Sequence, residues 1–98
     1  MFAQVASFKS KKNRRKHIES EVTSFRNAIK LEGISIKQEL VLHSRNHDTW
    51  LAIALFESKE ELDKIVDKIA EHQNATNLLK NLEPHLKGKI QLFEAEVF

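Results

Sequence analysis

The most informative stretch of this 98-residue sequence is Thr49-Trp50-Leu51-Ala52-Ile53-Ala54-Leu55-Phe56-Glu57. It is too short to cross a bilayer, which requires about 20 apolar residues. Its aromatic and β-favouring residues follow a polar turn and precede a helix-start signal, an arrangement that predicts a strand. Alternating positions put apolar side chains on both faces of this strand. Such a strand belongs at the centre of a sheet that is covered on both sides.

The rest of the chain supplies further strands and helices. Apolar periodicity predicts strands at Met1–Phe8, Ile34–His43 and Lys89–Phe98, and helices that follow caps at Asn13, Ser58 and Asn74. Gly33 is placed to end the first helix, and Ser58 to Glu61 has the spacing of a capping box. This order predicts one α+β domain over residues 1–98 with a ferredoxin-like βαββαβ arrangement. Its four-stranded antiparallel sheet carries the helices on one face.

The second face of this sheet is also apolar, and the predicted helices cover only the first. A bare apolar patch of about 400 Å² exceeds what soluble monomers usually tolerate. Covering it on both protomers is worth on the order of 20 kcal/mol before the costs of association. We therefore expect a homodimer that forms through the sheet faces. The alternative is that a helix end or the last strand folds over this face within one chain.

Composition excludes several classes of function. The chain has no cysteine, which excludes disulfides, a cysteine zinc site and a thiol nucleophile, and which suits a cytoplasmic location. We find no signal peptide or membrane-spanning segment. A net charge of +2 does not predict a dedicated nucleic-acid binder, although RNA-recognition domains share the element order. The basic run from Lys9 to Lys16 either attracts an anion at a helix start or is a solvated face.

Several residues are candidates for a binding or catalytic site. Histidine side chains can change charge near neutral pH, so His72 is either an acid–base group or axial ligand, or a histidine interacting with a helix terminus. An aromatic ligand could stack on Trp50, with further contacts from Gln4, Phe25 and Phe56, although core packing is the default explanation for the aromatic residues and a solvated position for Gln4. His43, His47 and Asp48 form either a metal site or a hydrated loop, and we predict the loop.

One family shares these features over almost the whole chain. The features are the strand Trp50–Glu57 running into Ser58–Leu62, then Glu71-His72 before a short helix, then Leu86-Lys87-Gly88 before the last strand. This pattern resembles the antibiotic biosynthesis monooxygenase-like (ABM) domains of the dimeric α+β barrel superfamily. The resemblance implies a barrel formed by two sheets and, in each protomer, a pocket between sheet and helices. It also implies activities that include cofactor-independent oxygenation of aromatic molecules and haem degradation.

Two departures limit what the resemblance implies. Haem-degrading members use an asparagine on the first strand together with a tryptophan and a histidine, whereas this chain has Gln4 on that strand and Trp50 outside the helices. We therefore expect no haem and no other cofactor, and we retain His72 only as a pocket residue. The predicted function is binding or cofactor-independent oxygenation of an apolar or aromatic small molecule. The alternatives are a non-catalytic regulatory or interaction dimer and, less favoured, an RNA-binding module.

Overall fold

The computed structural model describes residues 1–34 and 36–98, with only the backbone described at residue 74. Its elements are, in chain order, β1 (Phe2–Ser10), α1 (Arg15–Leu31), β2 (Gln38–Ser44), β3 (Thr49–Phe56), α2 (Lys59–Ala70), α3 (Gln73–Leu82), a 3-10 turn (Glu83–His85) and β4 (Leu86–Glu96). Neighbouring strands are antiparallel, in the order β2-β3-β1-β4. The predicted ferredoxin-like α+β arrangement is confirmed.

The strand β3 lies inside the sheet, between β1 and β2, as its two apolar faces predict. Trp50 pairs with Phe8 of β1, and Phe56 pairs with Phe2 at the other end of the same two strands. Both β3 aromatic residues are buried, and the side chain of Trp50 is only 2% exposed. The apolar stretch that dominates the sequence is therefore the interior strand of the fold.

One face of the sheet carries the helices, and we term it the helix face. Partner residues of an antiparallel pair lie on the same face, so Phe8 and Trp50 project to the same side. They form a core with Ile18 of α1, Leu82 of α3 and Leu86 of β4. The helix face is thus formed by the even-numbered residues of β1 and β3.

The opposite face, which we term the open face, is formed by the odd-numbered residues of β1 and β3. One apolar row crosses all four strands, because Leu40 pairs with Ile53, Ile53 with Val5, and Val5 with Phe93. Val5 is buried between its neighbours, but Leu40 and Phe93 are 57% and 51% exposed. Leu42, on the same face of β2, is also about half exposed. The open face is apolar across its full width.

The start of α1 differs from the prediction. Asn13 was predicted to cap the helix, but α1 begins at Arg15, and Arg14 is the cap residue without a capping side-chain hydrogen bond. Asn13 instead has a φ of 61°, in the left-handed region that asparagine tolerates in turns. The Asn13 cap was therefore wrong, since this residue turns the chain ahead of the helix.

The end of α1 follows the prediction. Gly33 has a φ of 77°, and its N–H donates to the carbonyl three residues earlier at 3.0 Å. The N–H of Ile34 donates to the carbonyl of Ile29, also at 3.0 Å, which completes a Schellman motif. Because this motif uses Ile34, β2 begins at Gln38 and not at Ile34 as predicted. Ser35, within the predicted strand, lies outside the described residues.

The capping signals of α2 and α3 were predicted with different success. The hydroxyl of Ser58 accepts from the N–H of Glu61 at 3.1 Å, while the Glu61 carboxylate accepts from Glu57, one residue further back than a standard capping box. α3 begins at Gln73 with His72 as its cap residue, so the predicted Asn74 cap is two residues late. The Asn74 side chain lies outside the described residues. Within the described part of the chain, each helix is too short or too polar to span a bilayer.

The strand β4 begins at Leu86, three residues before the predicted start at Lys89. Leu86 pairs with Ser10, which extends β1 beyond its predicted end at Phe8. Ser7 pairs with Gln91 and Lys9 pairs with Lys87, so four residues of β4 lie opposite two residues of β1 at this point. This irregularity includes Gly88, whose φ is 82°. The resulting bulge lets β4 keep pairing at the end where the core residues lie.

Candidate functional site

A cavity of about 210 Å³ lies between the helix face and the helices α1 and α3. Side chains of α1, α3 and all four strands line it, and nearly all of them are apolar. We term it the apolar cavity. The lining residues that matter below are Ala6, Phe25, Arg26, Glu39, Ala52 and Leu78.

The apolar cavity is accounted for by alanines on the sheet surface. Ala6 pairs with Ala52, and both project from the helix face on strands whose neighbouring positions hold Phe8 and Trp50. Because the alanine side chains are much smaller than the aromatic rings beside them, space remains between the alanines and the helices. A second concavity of about 150 Å³ adjoins this space, shares Ala6 and Ala52, and reaches Gln4.

A charged pair lies at the α1 side of the apolar cavity. Nε of Arg26 lies 2.7 Å from Oε1 of Glu39, and this ion pair joins α1 to β2. Both side chains are partly exposed, so the pair contributes little to stability. The cavity is therefore an apolar chamber with one charged edge.

A second, more polar cavity of about 180 Å³ lies between α1 and the strands β2 and β3. We term it the histidine cavity. It shares Val22, Arg26 and Val41 with the apolar cavity, so the two spaces adjoin along α1. Its remaining lining residues are Arg15, Glu19, Thr23, His43 and Trp50. Arg15, from the basic run of the sequence, thus reaches a cavity on the helix face.

Trp50 is held in one orientation by contacts with β1. Its Nε1–H donates to Oγ of Ser10 at 3.0 Å, and Ser10 is 1% exposed. The ring of Phe8 lies parallel to the indole, with centroids 6.0 Å apart. The indole plane is therefore fixed before any ligand is present.

His43 lies against the other side of the indole. The two residues are partners in the β2–β3 register, and their rings stack with centroids 4.0 Å apart and an interplanar angle of 13°. Both imidazole nitrogens are shielded from solvent, and neither has a hydrogen-bond partner among the described residues. A buried polar group without a partner is uncommon in folded proteins and calls for an explanation.

The environment of His43 favours its neutral form. Burial is the main cause of a lowered pKa, and the positive charges of Arg15 and Arg45 add to it. Asp48 and Glu19 act in the opposite direction without reversing the shift. A neutral imidazole offers one N–H donor and one acceptor nitrogen. The neutral form of His43 is thus favoured over the imidazolium.

The predicted site residues are distributed over different parts of the fold. Phe25 lines the apolar cavity, Gln4 lines the adjoining concavity, and Trp50 lines the histidine cavity. Phe56 is buried at the far end of β3, and His72 is the partly exposed cap residue of α3. Of the residues that the structure describes, neither Phe56 nor His72 lines the two cavities. Their functional roles stay predictions.

The sequence analysis missed the position of His43 and did not single out Arg26. The signal for His43 was present, because a four-residue connection between β2 and β3 pairs it with Trp50. Among the described residues, no group of three or more His, Asp or Glu side chains could hold a metal ion. His43 projects from the helix face, because it pairs with Trp50 and lines the histidine cavity with it.

Comparisons with solved structures identify the same fold in other proteins. A proposed antibiotic biosynthesis monooxygenase from Caulobacter crescentus has a TM-score of 0.75 at 11% identity, over 99% of this chain and 89% of the other. A similar protein from Deinococcus radiodurans has a TM-score of 0.73 at 9% identity, and the match covers 100% of this chain and 93% of the other. An uncharacterized NIPSNAP domain protein from Burkholderia xenovorans has a TM-score of 0.72 at 6% identity, and the match covers 100% of this chain and 95% of the other. No protein-family model and no curated protein sequence matches the chain.

These likenesses extend over the whole chain and include every strand and helix described above. At such low identity they establish the fold and leave the chemistry to the residues of this chain. The resemblance seen in the sequence is thus confirmed as a structural one: the chain has the ferredoxin-like α+β fold of ABM-like proteins.

Proposed function

We propose that the protein binds a small apolar or aromatic molecule in the apolar cavity and oxidises it as a cofactor-independent monooxygenase. The cavity is the observation that carries this proposal. An apolar cavity of about 150 Å³ in another protein holds benzene. The apolar cavity here, at about 210 Å³, is suited to a molecule of one or two rings. A larger ligand needs the adjoining concavity as well, since pockets for drug-sized molecules span roughly 300–1,000 Å³.

The reaction needs electrons that the substrate itself supplies. In the proposed step a methylene group of the substrate becomes a carbonyl group. One atom of dioxygen enters the product, and the other leaves as water with the two hydrogens of the methylene group. The protein contributes water exclusion and a proton acceptor. The fold shared with proteins named as antibiotic biosynthesis monooxygenases supports this reaction class.

One observation favours a second candidate, a regulatory or interaction protein that binds the ligand without chemistry. Among the described residues that line the apolar cavity, the titratable groups are Arg26 and Glu39, and they pair with each other. Dioxygen uptake with a series of one- and two-ring quinols, each of which bears a methylene group next to the ring, separates the two candidates. Ligand binding without oxygen consumption supports the second candidate and overturns the monooxygenase.

Ligand binding itself is tested by thermal unfolding with the same quinols. A ligand at 100 times its dissociation constant adds about 2.7 kcal/mol of stability. Ala52→Leu fills the cavity floor and is expected to abolish this gain. Ala70→Leu is the matched control, because it makes the same substitution at an exposed position of α2. If no quinol stabilises the wild-type protein, the proposed function is wrong.

We also propose that two copies associate through their open faces. The apolar row formed by Leu40, Ile53, Val5 and Phe93 crosses the whole sheet. A twofold axis brings this row against its own copy, which suits the self-complementary interface of a homodimer. Exposed apolar patches of several hundred Å² usually mark interaction surfaces. Because the helices lie on the other face, this association leaves the cavities unobstructed.

A further inference from the structure

We propose that one end of the molecule binds the phosphate backbone of double-stranded nucleic acid without reading its sequence. We term it the basic end, and it consists of residues 9–16, 45–48 and 83–89. The N–H of Ser10 donates to the carbonyl of Asp48, and the N–H of Lys11 donates to the carbonyl of His85, both at 2.8 Å. These two bonds hold the β1–α1 connection against the β2–β3 connection and against the start of β4.

The basic end carries most of the positive charge of the protein. It contains nine of the sixteen lysine and arginine residues but only two of the fourteen acidic residues, Asp48 and Glu83. The formal side-chain charge of the basic end is therefore +7, and that of the rest of the chain is −5. The net charge of +2 conceals this separation. The overall charge balance, which argues against a nucleic-acid binder, therefore does not describe this surface.

The cations of the basic end are available to a partner. Arg15 pairs with Glu19 at 2.6 Å, and none of the other eight forms an ion pair with a described residue. Lys9 and Lys87 are direct partners in the β1–β4 register, where like charges repel each other. The first turn of α1 has no acidic residue and no capping side chain, so its free N–H groups add to the positive potential. An anionic partner relieves this repulsion.

The close spacing of these cations favours a densely charged partner. Six of the nine lie within residues 9–16, and Lys87 lies directly opposite Lys9. A nucleic-acid duplex presents one phosphate charge per about 1.7 Å of its axis, whereas an extended acidic peptide presents at most one carboxylate per about 3.3 Å. A duplex can therefore neutralise several of these cations at once and release its own bound counterions.

The composition of the basic end favours a duplex over a single strand and over a membrane. It contains no phenylalanine, tyrosine or tryptophan, so it offers no such ring on which an unpaired base could stack. The exposed large apolar side chains of the described residues all lie outside it, so none is placed there to enter a bilayer. What remains is contact between cations and phosphate groups, which carries no sequence information.

Fluorescence anisotropy of a labelled DNA duplex of about 20 base pairs tests the proposal at 50 to 200 mM salt. If half of the eight unpaired cations contact phosphates, the affinity should fall about a hundredfold over this range. Lys11→Gln combined with Lys12→Gln removes two exposed charges and should weaken binding by about tenfold at 50 mM salt. Lys64→Gln combined with Lys68→Gln, on the exposed surface of α2, is the matched control. It removes the same net charge and should bind like wild type.

Four results would overturn the proposal. They are no binding of the duplex at 50 mM salt, an affinity that does not change with salt, an equal loss of affinity in the two double variants, and tighter binding of the single strand than of the duplex. Vesicles of phosphatidylserine and phosphatidylcholine in equal parts provide a further comparison. Tighter binding of the vesicles than of the duplex, at equal anionic charge, overturns the choice of nucleic acid and assigns the surface to a membrane.

A measurement on the wild-type protein covers the case in which a variant does not fold. We expect the duplex to shift the backbone amide signals of the basic end in NMR spectra and to leave those of α2 in place. Shifts confined to other parts of the chain overturn the proposal. No residue that lines the apolar cavity belongs to the basic end, so the quinol measurements test the proposed function independently.

Discussion

Replacing Ser10 by alanine should destabilise the fold by about 1–3 kcal/mol. The hydroxyl of Ser10 accepts from Nε1 of Trp50 at 3.0 Å and donates to the carbonyl of Asp48 at 3.4 Å, in a site that is almost fully buried. Alanine removes one oxygen atom and leaves the indole N–H without an acceptor inside the core. In a domain of this size each 1 kcal/mol corresponds to about 4–8 °C in Tm.

The assay is urea unfolding at a fixed protein concentration, followed by tryptophan fluorescence. Trp50 is the only tryptophan in the sequence, so the signal comes from the site under test. Ser20→Ala, at an exposed position of α1, is the matched control and should gain up to about 0.5 kcal/mol because alanine favours helices. A Ser10→Ala variant within about 0.5 kcal/mol of wild type would refute the reasoning.

Three further predictions follow from the same structure. Gly33→Ala should cost about 1–2 kcal/mol in urea unfolding, because its φ is 77°. Apart from its direct neighbours in the chain, no described residue has an atom within 4 Å of an added Cβ, so the cost is conformational; an unchanged stability contradicts this. Phe93→Glu should convert a dimer to a monomer in light scattering, whereas Lys12→Glu, on the exposed turn before α1, should stay dimeric. Acidification from about pH 7 to about pH 5 should lower the free energy of unfolding. The pKa values of His43 and His85 in the folded protein lie below 6.5, so the unfolded chain binds more protons than the folded protein in this range. The stability from the neutral rings is complete above pH 6.5 and decreases below it, and His43→Phe should reduce this dependence; an equal slope in both proteins contradicts the assignment to His43.

The sequence predicted the fold well because its strongest signals are local or periodic. The interior strand, the glycine that ends α1 and the serine cap of α2 each depend on a few neighbouring residues. The errors lie where one residue type suits two conformations. Asn13 is as acceptable in a left-handed turn as at a helix cap, and only the tertiary structure selects between them.

The candidate site was harder to predict, because it depends on contacts between distant elements. Phe25 follows from the apolar stripe of α1, and it does line the apolar cavity. Arg26 lies next to that stripe, and its importance becomes visible only when β2 places Glu39 opposite it. In the sequence, His43 attracts attention only through its neighbours His47 and Asp48. Its place on the helix face follows from the β2–β3 register that stacks it on Trp50.

Because side chains alternate along β1 and β3, ligand binding on the helix face and association through the open face can be tested separately. Ala6 and Ala52 project into the apolar cavity, whereas Val5 and Ile53, each one residue away, project to the open face. The small residues make space for a ligand, and the large ones make an interface. A substitution on the open face should therefore change association while leaving the composition of the cavity intact. If Phe93→Glu abolished ligand binding along with dimerisation, the cavity would depend on the partner subunit, and the two faces could not act independently.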